Sequence, residues 1–118
     1  MKVIWTPEAQ KDREDIWEFI ANENPFAATR MDELFSEAAA RLSEHSMLGK
    51  AGQIPGTREL LPHDSYRMVY EIGGDIVWIL TLVHAARQWP PVRGGYPLSA
   101  TADSAVATAS PPRIGDNE

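Results

Sequence analysis

A chain of 118 residues has room for one packed domain and not for two. Its 43% hydrophobic and 24% charged residues are the proportions of a soluble globular protein, and the net charge of −6 argues against bulk binding of nucleic acid. With no cysteine, disulfide frameworks, thiolate metal centres and cysteine nucleophiles are excluded.

Lys2 to Trp5 is a short β-prone run. Thr6 then offers an N-cap hydroxyl, and Pro7 takes the first helical position, where its missing N–H costs nothing. The helix so begun is expected to run to about Ala21, with Ala9, Ile16, Phe19 and Ile20 at helical spacing. Lys11, Asp12, Glu14, Asp15 and Glu18 read as its solvated faces. Asn24-Pro25 repeats the start signal, and a second helix is expected from Pro25 to about His45. Ala27, Met31, Leu34, Ala38 and Leu42 form its apolar stripe, widened by Phe35 and Ala39. So short a connection between the helices implies an antiparallel hairpin.

Residues 46 to 56 form a loop rich in breakers. It is not a phosphate-binding loop, because the order of Gly, Lys and Ser/Thr is wrong, so Lys50 reads as a solvated loop charge. Three strands follow: Thr57 to Leu61, Tyr66 to Ile72, and the apolar run Ile76 to His84. Pro62-His63-Asp64-Ser65 and Gly73-Gly74-Asp75 are the turns between them. The order β-αα-βββ gives an α+β domain, a helical hairpin packed on a largely antiparallel sheet, over residues 1–91. From 92 to 118 the chain is mostly Ala, Ser, Thr, Gly and Pro, and a flexible low-complexity tail is expected there. No apolar run reaches the roughly 20 residues of a membrane span, and Pro7 interrupts the N-terminal segment before a signal-peptide apolar region can form. A soluble, cytoplasmic protein with no membrane partner is expected.

Acidic residues gather in the first 45 positions, whereas Arg58, Arg67 and Arg87 fall later, on or next to strands expected to be neighbours. Guanidinium groups hold phosphates bidentately, so convergence of these arginines on one side of the sheet would make a phosphate site. Ion pairing with Glu59, Asp64 or Glu71 is the alternative. His84 closes the last strand and could serve as an acid or base. His45, His63 and His84 show no metal-ligand spacing, so no metal is expected, and no nucleotide fingerprint or other cofactor motif is present.

In this order the segments Trp5-Thr-Pro-Glu-Ala9, Asn24-Pro25-Phe-Ala-Ala28, Gly56-Thr-Arg-Glu-Leu60, Tyr66-Arg-Met-Val-Tyr70 and Val83-His-Ala-Ala-Arg-Gln-Trp-Pro90 resemble the RelE/ParE superfamily of bacterial toxins from type II toxin–antitoxin modules. The closing segment is most similar to the ParE, or plasmid-stabilisation, branch. The resemblance implies the fold derived above. It also implies a growth inhibitor neutralised by a cognate antitoxin, usually encoded next door, with the hairpin and the strand around Trp78, Ile79 and Leu80 as docking surfaces. In the ParE branch the target is DNA gyrase and the toxin is not an enzyme. In the RelE branch it is a ribosome-dependent mRNA endonuclease, and the ribosome and mRNA are the partners. Neither activity implies a small-molecule substrate. Under the RelE alternative the resemblance makes Arg58, Arg67, His84 and Arg87 the catalytic set. Thr57, Glu59 and Leu61 stand where that branch carries basic residues, and its C-terminal tyrosine is unmatched, so the ParE branch is the expected one.

Overall fold

The computed structural model describes residues 1–90 and two short strands beyond them, Val92–Arg93 (β6) and Tyr96–Pro97 (β7). β6 and β7 pair antiparallel with each other. They are the described part of the expected tail, and the rest of it lies outside the described residues.

The elements follow the order β1 (Lys2–Trp5), α1 (Pro7–Ala21), α2 (Pro25–Glu44), β2 (Lys50–Ala51), β3 (Arg58–His63), β4 (Tyr66–Gly73) and β5 (Ile76–His84). Five strands form one sheet in the order β1-β5-β4-β3-β2. Only β1 runs parallel to its neighbour, Lys2 lying opposite Ile76 and Trp5 opposite Ile79. The apolar β5 is thus an interior strand, as its composition requires. Both helices start as their sequence signals dictate: the Thr6 hydroxyl accepts from Ala9 N–H at 3.2 Å and the Asn24 carbonyl from Ala27 N–H at 3.1 Å.

The hairpin packs on one face of the sheet. Ala9 of α1 and Phe35, Ala38 and Leu42 of α2 meet Tyr66, Met68 and Tyr70 of β4 and Val77, Ile79 and Leu82 of β5. Arg13 holds the two helices together from the side, with Nε 2.6 Å from the Asp32 carboxylate and the guanidinium stacked over Trp5 at 4.6 Å.

Three details differ from the sequence reading. β3 continues through Pro62 to His63, because a register shift between Leu60 and His63 accommodates a residue that cannot donate to the ladder. The turn is therefore only Asp64-Ser65. Lys50 and Ala51 leave the loop to pair with Glu59 and Arg58 as a short edge strand. Asp12 leaves the solvated face of α1 and bonds to β5.

The loop after α2 is fixed by Tyr70 and Arg58. The Tyr70 hydroxyl donates to Ser46 O at 2.7 Å and accepts from Gly49 N–H at 2.9 Å. Arg58 donates to the carbonyls of Gly49 and Met47. Gly49 is buried, and a Cβ there would lie 2.6 Å from Glu59 O and 2.8 Å from the Tyr70 ring. Gly49→Ala is expected to lower stability by about 1–3 kcal/mol, read as a fall in the thermal midpoint of unfolding.

Candidate functional site

Residues directly opposite in adjacent strands share a face of the sheet. Arg58 pairs with Tyr70, whose ring belongs to the core under the helices, so Arg58 starts on the helix side. Arg67 pairs with Val83, and Glu59 with Val69, on the opposite face. The alternation that separates Arg67 from Tyr66, Met68 and Tyr70 therefore holds. It also separates Arg67 from Arg58, and the two guanidinium groups do not converge.

Each of these two arginines already has a partner within the chain. Arg58 is the clamp on Met47 and Gly49. Its Nε–H···O distance to Gly49 is 2.9 Å and its Nη2 lies 3.1 Å from Met47 O. Arg67 Nε stands 3.4 Å from the carboxylate of Glu59, which is buried and also accepts from Gln53 N–H at 2.9 Å. A buried carboxylate requires such partners, because an unpaired charge in this position would be strongly penalised. Val69 and Val83 on the same face are buried as well, at 1% and 3% exposure, so Arg67 does not stand on a bare apolar sheet.

His84 and Arg87 are joined through the backbone at the C-terminal end of β5, where Arg87 N–H donates to His84 O at 2.9 Å. Both side chains are exposed. The His84 ring lies edge-on to Tyr66, centroids 5.2 Å apart, and Tyr66 in turn lies edge-on to Phe35 at 5.8 Å. His84 Nδ1 accepts from Ala86 N–H at 3.0 Å. In the neutral ring the proton therefore sits on Nε2, and the exposed nitrogen is a donor. To act as a base at Nε2 the ring would have to give up its bond to Ala86.

Asp12 completes this end of the molecule and was not among the sequence candidates. Past the end of β1, no described strand flanks β5 on that side, and Asp12 bonds to it there. Its carboxylate accepts from Leu82 N–H at 3.1 Å and from the Thr81 hydroxyl at 2.5 Å. Burial raises its pKa above the usual carboxylate value, an effect that Asp15 augments and that the two hydrogen bonds and the nearby Arg87 partly offset. A carboxylate within a dense charged run gives no sequence signal for this role. The groups it meets on β5 lie 69 and 70 residues further along the chain.

Among the described residues no group of His, Asp and Glu is arranged to hold a metal ion, and no helix is long and apolar enough to cross a membrane.

A model of the family described as the ParE toxin of the type II toxin–antitoxin system parDE matches residues 3–89. The protein Y4kP of Sinorhizobium fredii is 36% identical over 92 residues, which are 77% of this chain and 95% of that one. Toxin RelE2 of Caulobacter vibrioides is 33% identical over 86 residues, 73% of this chain and 97% of that one. Among solved structures, a chain of the chromosomal ParDE system from P. aeruginosa superposes with a TM-score of 0.62 at 22% identity, covering 71% of this chain and 95% of that chain. The likeness to the solved chain extends to the helical hairpin on a mixed sheet.

The raised pKa of Asp12 has a definite sign. The folded state holds the Asp12 proton more tightly than the unfolded chain does. This contribution to stability is therefore present below the ordinary carboxylate range and is lost as pH rises through the raised value. Asp12→Asn keeps an oxygen for Leu82 N–H and removes the titration. Chemical denaturation from about pH 4 upward is expected to show wild type losing stability relative to this variant.

Proposed function

Because the chain belongs to the ParE toxin family of type II toxin–antitoxin systems, we propose that it arrests growth by binding DNA gyrase rather than by cutting RNA. As a type II toxin it has a cognate antitoxin. One observation above all supports gyrase as the target. Arg58 and Arg67, which would have to hold a scissile phosphate, are both engaged by groups of the chain itself. A phosphate at Arg67 would have to compete with the buried Glu59 carboxylate for the guanidinium group. The net charge of −6 adds a repulsive field for RNA. The His84 ring, with Nδ1 accepting, offers a donor where a nuclease would need a base. Inhibition by occupancy of a protein target needs none of these groups, only a surface.

The second reading, a ribosome-dependent mRNA endonuclease, is favoured by the RelE2 relative and by the exposed pair His84 and Arg87. The two separate in a single experiment. The protein is induced briefly without its antitoxin, and DNA ends and RNA 5′ ends are mapped in the same cells. Double-strand breaks capped by gyrase, with intact messages, are the expected result. New RNA ends inside translated frames with intact chromosomes would overturn the gyrase reading.

The double variant Arg67→Ala/Arg87→Ala is expected to keep its toxicity. Arg67→Ala alone leaves the buried Glu59 without its cation, at an expected cost of about 1–3 kcal/mol. Toxicity is therefore compared at a temperature where the thermal melt shows the variant still folded.

A further inference from the structure

Only part of β5 has a neighbour on each side. β4 pairs with it along its whole length, from Gly73 opposite Ile76 to Tyr66 opposite His84. β1 pairs with its beginning and stops at Trp5, opposite Ile79. Among the described residues, positions 80–84 therefore continue the sheet past its last strand on that side. A stretch of strand with one open edge presents N–H and C=O groups to any strand that comes alongside, and the same stretch of a second copy can pair with it. This one suits such pairing, because it is of ordinary strand length and carries Leu80, Leu82 and Val83.

The edge is nevertheless not bare. The Thr6 hydroxyl lies 3.2 Å from Leu80 O at its start, and Asp12 reaches its middle. Leu82 N–H donates to the Asp12 carboxylate at 3.1 Å, the bond it would otherwise give to the carbonyl of a neighbouring strand. The Thr81 hydroxyl donates to the same oxygen. Burial disfavours the charge of this carboxylate, so it is held at the edge at a cost. It also sets a negative group where an incoming strand would bring its own carbonyl oxygens. The opposite edge of the sheet is blunted by different means. β2 covers only Arg58 and Glu59 of β3. Beyond them come Pro62, which has no N–H to offer, and the register shift between Leu60 and His63. Each edge thus carries an interruption, supplied on β3 by the strand itself and on β5 by a side chain of α1.

We propose that Asp12 guards the open edge of β5: by occupying Leu82 N–H it keeps residues 80–84 from pairing edge to edge with the same residues of a second copy, and so keeps the protein monomeric. The guard works through the hydrogen bond, which removes the donor at the centre of the stretch. A carboxylate in a charged run on an otherwise exposed face of α1 thereby acquires a task that stability alone does not assign to it. The proposal is independent of whether gyrase or RNA is the target, and growth arrest neither supports nor removes it.

The test uses the full chain. Light scattering after size exclusion, over a range of concentrations, gives the state of association, and hydrogen exchange followed by NMR gives the protection of the Leu82 amide. Asp12→Ala removes the acceptor, and Asp12→Asn keeps an oxygen for Leu82 N–H. Wild type and Asp12→Asn are expected to be monomers with a protected Leu82 amide. In Asp12→Ala the dimer dissociation constant is expected to fall at least about tenfold below that of wild type. Its Leu82 amide is expected to exchange at least about tenfold faster in dilute protein and to regain protection as the concentration rises. A carboxylate that merely tethers α1 lowers the thermal midpoint of Asp12→Ala and leaves association unchanged, and that result overturns the proposal. So does an Asp12→Asn protein that associates as Asp12→Ala does, a wild-type protein that is already a dimer, or a wild-type Leu82 amide that exchanges like one in an open loop. Where Asp12→Ala shows no cooperative melt, Asp12→Ser, too short to reach Leu82, is read in the same way. Failure of both to fold also overturns the proposal, because the carboxylate would then hold the fold and not its edge.

Discussion

The hydroxyl of Thr6 is the joint on which the architecture turns. It donates to the carbonyl of Ile79 at 2.9 Å while it accepts from Ala9 N–H at the first turn of α1. The backbone N–H of the same residue also donates to Ile79 O at 3.0 Å. One buried residue therefore ends β1, starts α1 and ties both to β5. The direction in which α1 leaves the sheet follows from it, and with that direction come the packing of Ala9 against the core and the approach of Asp12 to Leu82. A helix that started one residue later would turn its apolar stripe about 100° away from the sheet.

The charges of the toxin fold are arranged inward at the sheet and outward at the hairpin. On the sheet, Arg58 braces a loop and Arg67 neutralises Glu59, so cations that read as available in the sequence are structural in the fold. On the hairpin, Glu14, Glu18 and Glu23 face solvent, as do Trp17, Phe19 and Phe26, which the core does not use. The protein thus offers its surroundings aromatic area and negative charge, which is the reverse of what RNA cleavage asks for and compatible with recognition of other proteins.

The helices were legible because their punctuation is chemical: Thr6-Pro7 and Asn24-Pro25 start helices wherever they stand before an apolar stripe, and both do so here. The β5 strand was legible from the length of its apolar run. The face carrying Arg67 was legible because alternation is a rigid consequence of strand geometry. The partner of β1 was not, since parallel pairing across most of the chain leaves no local mark. The ends of β3 were misplaced because Pro62 reads as a breaker in isolation, whereas a register shift lets it stay in the strand. The site was half legible. His84 and Arg87 are neighbours in sequence and remain so in space. Arg58 and Arg67 share neighbouring strands, but one residue of parity places them on opposite faces. Asp12 was invisible, because the Thr81 hydroxyl and Leu82 N–H that it meets follow it by most of the domain.

The pairing of β1 with β5 also sets when the molecule can exist. Lys2 waits for Ile76, and Thr6 waits for Ile79, so the earliest strand to be synthesised finds its place only after nearly all of the domain has been made. The hairpin forms from local contacts and can be ready long before, but the sheet that gives it a foundation depends on contacts between the two ends of the domain, the slow kind in folding. During synthesis the nascent chain therefore presents its aromatic, acidic hairpin first and its completed core last.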